Sequence, residues 1–462
     1  MSQIPVVLPP EIWSTIFLAT CGPPQPTRFL DLGDHQRLLN ILRLTHVCRY
    51  WRSIAHSTTQ LWNAIVFNPL LDIETENHLA TLCLEKSANS PLYVHLFCPP
   101  IFGTDDDDDE PEGLEENGVI REGQGGMAVS RMHSQIAHAL STGSPSFHSF
   151  MKTTSRWKAL IITTQTDWFE PFFTFFASLA VDSPKFPNLC NLKLQTTDYK
   201  VWEIIGTPAN MGAFMEAPNL THVAVSELPS NPLLLPLPLD RLTTLQISNP
   251  CSVLSALNLL KACPSLQSFR AAVEQLDDIE PVSDSIHVEH NALRSLVLFS
   301  TEEGLDTLML HLTLHSLREL DIDSCDAWPG RTIKPFLSSS ADVIQDLTIH
   351  APDMTTAMLL DCLQVVPALK HLTVEQMCDP SIGSLSQLFK RLTRMKDSEH
   401  GLASTLLPSL QSINLVYFIP LYCGWRGEPI NFKAFQDMAL SRWTGGDADL
   451  RWRPKEKDWK WT

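Results

Sequence analysis

The 462-residue sequence predicts an α/β chain: a small all-helical N-terminal module, then a horseshoe-shaped solenoid with a parallel sheet on its concave face. Three observations carry that expectation. A segment of the form Leu-x-x-Leu-x-Leu recurs nine times from residue 187 onward, at intervals of roughly 22 to 41 residues. Amphipathic stretches such as 253–263, 305–314 and 354–366 fill the intervals between copies. Residues 8–62, in contrast, place their apolar side chains at helical spacing.

The nine segments lie at 187–194, 218–225, 242–247, 264–269, 293–298, 317–322, 344–349, 367–374 and 408–415. In the second half of each, apolar and polar residues alternate, so a short strand sends its leucines to one side and its polar residues to the other. One strand and one helix per repeat cannot bury their own apolar faces, but stacked in parallel they share a continuous core. Segments 61–67, 92–97 and 157–162 extend the series backwards, with helices expected at 77–86 and 130–140. The pattern resembles that of leucine-rich-repeat proteins, in divergent form. Their common asparagine or cysteine after the strand is matched clearly only by Cys325. The outward strand positions form a candidate target-binding surface: Lys193, His222, Gln246, Arg270, Glu319, Asp321, Asp346, His371 and Asn414. Basic residues lie in the earlier strands and acidic ones in the later strands, which suits a protein or peptide partner. The alternative is an ordinary solvated face.

In the N-terminal module, Pro9 and Pro10 sit where a helix begins, Glu11 suits the positive helix end, and Ile12, Trp13, Ile16 and Phe17 make one apolar face. Cys21-Gly22-Pro23-Pro24 stops that helix. Leu38, Leu39, Ile41, Leu42 and Leu44 then resume the pattern, and Val47, Trp51, Ile54 and Ala55 continue it. So small a unit exposes apolar surface that a partner or a following domain must cover. On the residues alone, a helical cap on the next domain is an equal reading.

The motifs Leu8-Pro9-Pro10-Glu11-Ile12, Ile16-Phe17, Val47-Cys48-Arg49-Tyr50-Trp51-Arg52 and Leu61-Trp62 resemble the F-box. With the repeats downstream, the chain is most similar to F-box proteins with leucine-rich repeats abundant in mushroom-forming fungi. The resemblance implies docking on the Skp adaptor of a cullin ubiquitin ligase through Leu8, Pro9, Ile12, Ile16, Val47, Cys48 and Trp51. One departure is the proline-rich stretch from Thr20 to Asp34, longer than the usual connection between the first two helices. The expected domains are an F-box at 1–60, divergent first repeats at 61–154 with an acidic disordered insertion at 103–126, the solenoid at 155–450, and a Trp-rich cap or tail at 451–462.

Composition narrows the function classes. A formal net charge of -18 opposes binding to nucleic acid or an anionic membrane surface. Ten acidic residues against Arg121 in the 103–126 segment supply half of that charge. Its density and glycines predict a flexible surface loop, either a lure for a basic partner or a solvated insertion. The eleven cysteines show no Cys-x-x-Cys pair and no metal-ligand spacing with histidine, so they read as reduced, mostly buried residues, with no cofactor or metal expected. No signal sequence opens the chain and no apolar run is long enough to span a bilayer, which suits the cytoplasm or nucleus. Nucleotide-binding, hydrolase and zinc-protease motifs are absent. His46 near Cys48, and the pairs His133/His138 and His311/His315, have no carboxylate or cysteine partner at ligand spacing. The expected function is therefore non-catalytic: a receptor holding a protein target for ubiquitination by partners, or else a scaffold without ubiquitin transfer.

Overall fold

A computed structural model describes residues 8–22, 33–67, 74–97, 150–165, 186–196, 212–226, 237–274, 286–324, 328–352, 354–375, 382–393, 406–416 and 432–442, with single positions at 176, 228, 233 and 235. The acidic insertion, the helix expected at 130–140, His133 and His138, Cys325 and the tail 451–462 lie outside the described residues. The chain divides into two compact units, 1–238 and 239–462. The repeats do not mark this division, since Leu-x-x-Leu-x-Leu copies run on both sides of it.

The first unit opens with three helices: α1 (Pro10–Cys21), α2 (Gly33–Val47) and α3 (Arg49–Ser57). Proline at N1 costs α1 no hydrogen bond, because the first amides of a helix have no intrahelical partner. Gly22 at φ 75 ends it in a conformation open to glycine. Cys48, extended at φ -159, separates α2 from α3, and its Sγ accepts the Trp51 N–H at 3.4 Å as a helix cap. A 3₁₀ turn (Thr59–Trp62) follows, so the strand expected from Leu61 starts only at Ala64. Leu61 and Trp62 are buried instead, and the indole N–H of Trp62 donates to Ala55 O at 2.8 Å.

Five parallel strands complete this unit in the order β1 (Ala64–Phe67), β2 (Leu92–Phe97), β3 (Trp157–Thr164), β4 (Asn191–Thr196) and β5 (His222–Val225). The helix α4 (Glu74–Ser87) connects the first two, as the 77–86 pattern predicts, and α5 (Gly212–Met215) is a single turn before β5. Register places Ile65, Val94, Leu160, Leu192 and Val223 side by side, each nearly inaccessible to solvent. The rings of Phe67, Phe150, Trp157, Phe186 and Phe214 form a continuous chain of stacked and tilted contacts in the same unit. Two asparagines act as joints between repeats: Asn188 Nδ2 donates to Ser155 O at 2.6 Å and Asn219 Nδ2 to Pro187 O at 2.7 Å. Both belong to a Pro-Asn-Leu triplet, a signal present in the sequence and missed by the leucine pattern.

Among the described residues, the main sheet of the second unit has seven parallel strands in the order β6 (Thr244–Ser252), β7 (Ser268–Glu274), β9 (Ser295–Ser300), β11 (Glu319–Ser324), β12 (Asp346–His350), β13 (His371–Glu375) and β14 (Ser412–Val416). Leu245, Phe269, Leu296, Leu320, Leu347, Leu372 and Ile413 share one register row and are all buried. A repeated joint fixes that register. The carbonyl just before each strand accepts two amides of the next repeat, as when Gln345 O takes the N–H groups of Lys370 and His371 at 2.8 and 2.9 Å. Helices α6 (Val253–Ala262), α7 (Glu302–Leu310), α8 (Ile333–Ser338), α9 (Thr356–Leu363), α10 (Ile382–Leu392) and α11 (Phe432–Arg442) lie between or after the strands.

Two details depart from the sequence expectation. The helical stretch 305–314 stops at Leu310, because Leu312–Leu314 forms a strand, β10, parallel to β8 (Val288–His290) in a separate two-stranded sheet. Three residues are too few for periodicity to distinguish strand from helix. In β6, the pairing shifts between Ile247 and Pro250, a bulge that accommodates a proline lacking an N–H donor. Gly304 in α7 sits where helix and sheet approach closely. A Cβ there would lie 2.6 Å from Ser300 Oγ and 3.0 Å from Val273 O. Gly304→Ala is therefore expected to destabilise the chain by about 1–3 kcal/mol, despite alanine's better helix propensity. A urea titration of the variant measures this.

Candidate functional site

Two surfaces combine exposed, chemically distinctive side chains. The first is on the N-terminal helices. Ile12 and Ile16, four residues apart, share one face of α1, and Leu8, two residues before the helix, extends this apolar stripe. Leu8, Ile12 and Ile16 are 36%, 47% and 38% exposed, and Val47, at the end of α2, is 59% exposed. Tyr50 ties the start of α3 to this stripe, since its hydroxyl donates to Leu8 O at 3.0 Å. Pro9 and Cys48 are exposed as well. Apolar groups concentrated in so small a module, and left in water, mark a surface for a partner.

Trp51 has a different place. It is half-buried, its ring 4.8 Å from that of Trp13 and 5.1 Å from that of Phe17, which is fully buried. The side chain therefore braces α3 against α1. Arg37 braces the module from the other side. It is buried, and donates to Gly22 O at 3.3 Å, Gln60 O at 3.0 Å and Asn63 Oδ1 at 3.4 Å. One guanidinium thus joins the end of α1, α2, the 3₁₀ turn and the entry to β1. An arginine inside an apolar helical pattern was the only sequence signal for it.

The second surface is the polar face of the strands. In the second unit, Gln246, Arg270, Asp321 and Asn414 occupy one register row, and Glu319, Asp346 and His371 the row two residues earlier. All seven are exposed or half-exposed. The strand geometry thus brings together side chains up to 168 positions apart, from 246 to 414. In the first unit His222 is exposed, whereas Lys193 is buried, and burial pushes its ammonium down to about 8. Lys193 shares its row with Ile161 and Ala224.

Charges on the second unit's face are unevenly matched. His350 lies between two carboxylates, with Nε2 3.7 Å from Asp321 Oδ1 and Nδ1 3.5 Å from Glu375 Oε2. His371 Nε2 is 4.0 Å from Asp346 Oδ1, and its Nδ1 shares a 2.7 Å hydrogen bond with Ser412 Oγ. The guanidinium of Arg270 sits 4.8 Å over the ring of Phe299. Burial raises the Asp321 carboxyl above its ordinary range; His350 and Arg270 pull it down, and Asp323 and Glu375 push it further up. An acid with a raised folded pKa binds its proton more tightly when folded, so ionising it costs stability as pH rises through the window between the unfolded and folded values. Asp321→Asn is thus expected to raise the melting temperature at neutral pH. That gain disappears once the pH falls below the ordinary carboxylate range, near 4. Thermal melts at the two pH values measure the difference.

Among the described residues no group of three or more His, Cys, Asp or Glu side chains is placed to hold a metal ion. Among them, too, no helix is long and apolar enough to cross a membrane. Burial holds the thiols of Cys83, Cys251, Cys263 and Cys362 up at about 12, where they are inert. Cys48 is committed to capping α3. His311 is buried with Nδ1 donating to Ile286 O at 2.6 Å. His315 has an acidic neighbour that sequence spacing hides, Glu289 at 3.3 Å.

Residues 6–68 match the family model described as F-box-like. The matched span covers α1, α2, α3, the 3₁₀ turn and β1, so it contains the exposed stripe and both of its braces. No curated protein matches the chain.

Proposed function

We propose that this chain is the substrate-recognition subunit of an SCF-type (Skp, cullin, F-box) ubiquitin ligase. Its helical module docks on the Skp adaptor, and through it on cullin, while the strand face holds a protein target. The observation that carries this reading is the coincidence of the F-box-like match at 6–68 with an exposed apolar stripe in the same residues. F-box domains generally bind the Skp adaptor and serve as non-catalytic ligase adaptors. Here Leu8, Pro9, Ile12, Ile16, Val47 and Cys48 supply the contact, and Trp51 holds it in shape from beneath.

The repeats 61–450 then form a leucine-rich-repeat solenoid whose polar strand face is its concave side. Catalysis is by proximity: the target's lysines are held where a cullin-bound conjugating enzyme reaches them. The buried Arg37 and Trp62 support this division of labour, since they leave no loose joint between the helices and β1. The proposed setting is the cytoplasm or nucleus, without nucleic acid, membrane or cofactor.

Co-expression with a Skp adaptor and cullin tests the reading. The expected result is a stable complex of the three proteins on gel filtration. A folded chain that elutes alone, with adaptor and cullin in a separate peak, leaves a scaffold without ubiquitin transfer as the surviving account.

A further inference from the structure

We infer that the polar face of strands β7, β9, β11, β12 and β13 is a docking surface for an extended, lysine- or arginine-bearing segment of a partner protein. This rests on the receptor reading only for who the partner is; the chemistry of the face stands by itself.

Alternation along these strands commits every second residue to the core. Leu320, Ile322, Leu347, Ile349, Leu372 and Val374 are buried on one side. The side chains between them point the other way, and there the carboxylates outnumber the cations. Glu319, Asp321 and Asp323 line β11, Asp346 opens β12 and Glu375 closes β13. On the same side are Arg270 on β7, two strands from β11, His350 on β12 and His371 on β13. Glu274 closes β7 on the same side, so among the described residues of these strands six carboxylates meet three cations even with both histidines protonated.

The side chains of Asp321, Asp346 and His371 remain 40%, 43% and 48% exposed, so the excess is open to a ligand. Burial holds the Asp321 carboxyl above its ordinary range, and a cation arriving beside it stabilises the charged form. Register sets the shape of the ligand. Acidic positions two residues apart on β11, and on successive strands separated by about 4.8 Å, form a grid that extended chains with alternating basic side chains can span. Phe299, stacked under Arg270 at the edge of the grid, adds an apolar contact for the stem of a lysine or arginine.

Net acidity alone attracts any cationic peptide, so the test separates the patch from the rest of the chain. The probe is a fluorescent nine-residue peptide of alternating lysine and threonine, titrated into the full chain by anisotropy. Three proteins are compared: the intact chain, the patch variant Asp321→Asn/Asp323→Asn/Glu375→Gln, and a control variant Asp105→Asn/Asp106→Asn/Asp107→Asn carrying the same charge change. The expected result is a loss of at least about tenfold in affinity for the patch variant, a change below about twofold for the control, and steep weakening with salt. Equal losses in both variants, or none in the patch variant, overturn the proposal. Amide and glutamine replacements keep side-chain size, and a thermal melt verifies that each variant is folded. Adaptor co-purification with the same proteins keeps the two readings apart: adaptor binding without peptide discrimination sinks only the docking surface, and the converse sinks only the ligase assignment.

Discussion

Trp62→Ala is expected to cost about 3–5 kcal/mol, enough to leave the N-terminal module largely unfolded at physiological temperature. The indole is 1% exposed, packs beside the His56 ring and donates its N–H to Ala55 O at 2.8 Å. Truncation therefore removes a large buried surface and takes from the Ala55 carbonyl the shorter of its two hydrogen bonds, leaving the Thr58 N–H at 3.3 Å. Trp62 belongs to a 3₁₀ turn between α3 and β1, so its loss loosens both. Denaturant unfolding followed by circular dichroism measures the effect. The smaller change that a surface tryptophan would give contradicts this placement.

Arg37→Met is the second large effect, about 2–4 kcal/mol. The methionine keeps much of the apolar stem but removes a buried guanidinium that serves Gly22 O, Gln60 O and Asn63 Oδ1. Three acceptors from three separate segments lose a charged donor at once. A lysine at this position restores the charge without the planar fork, so Arg37→Lys recovers only part of the loss. Urea titrations of both variants give the ordering intact, Lys, Met. If Arg37→Met matches the intact chain, the guanidinium is not the joint described above.

Much of the architecture is legible in the sequence because strand alternation is a local pattern. Each of the nine Leu-x-x-Leu-x-Leu segments holds a strand, and the three earlier segments hold β1, β2 and β3. Helices α1, α6 and α9 follow from apolar spacing together with proline, serine or threonine at their starts, and α4 from apolar spacing alone. What escaped was set by residues distant in sequence. Arg37 reaches 23 and 26 positions along the chain to Gln60 and Asn63, and no periodicity announces such a bond. Lys193 sits at an outward strand position yet is buried, because alternation states which side a residue faces and not what covers that side. Trp51 carries a family motif position, and only the packing shows that it braces α1 rather than lying open like Ile12.

That last distinction decides how the central claim is tested. A Trp51 variant weakens docking through the fold as well as the surface, whereas Ile12, Ile16 and Val47 are exposed and can be changed with little cost to stability. The decisive measurement is the affinity of a purified Skp adaptor for the intact chain and for Ile12→Asp/Ile16→Asp/Val47→Asp. The account expects tight binding by the intact chain and a loss of at least about 100-fold in the variant, with the melting temperature nearly unchanged. Failure of the intact, folded chain to bind, or undiminished binding by the variant, contradicts it.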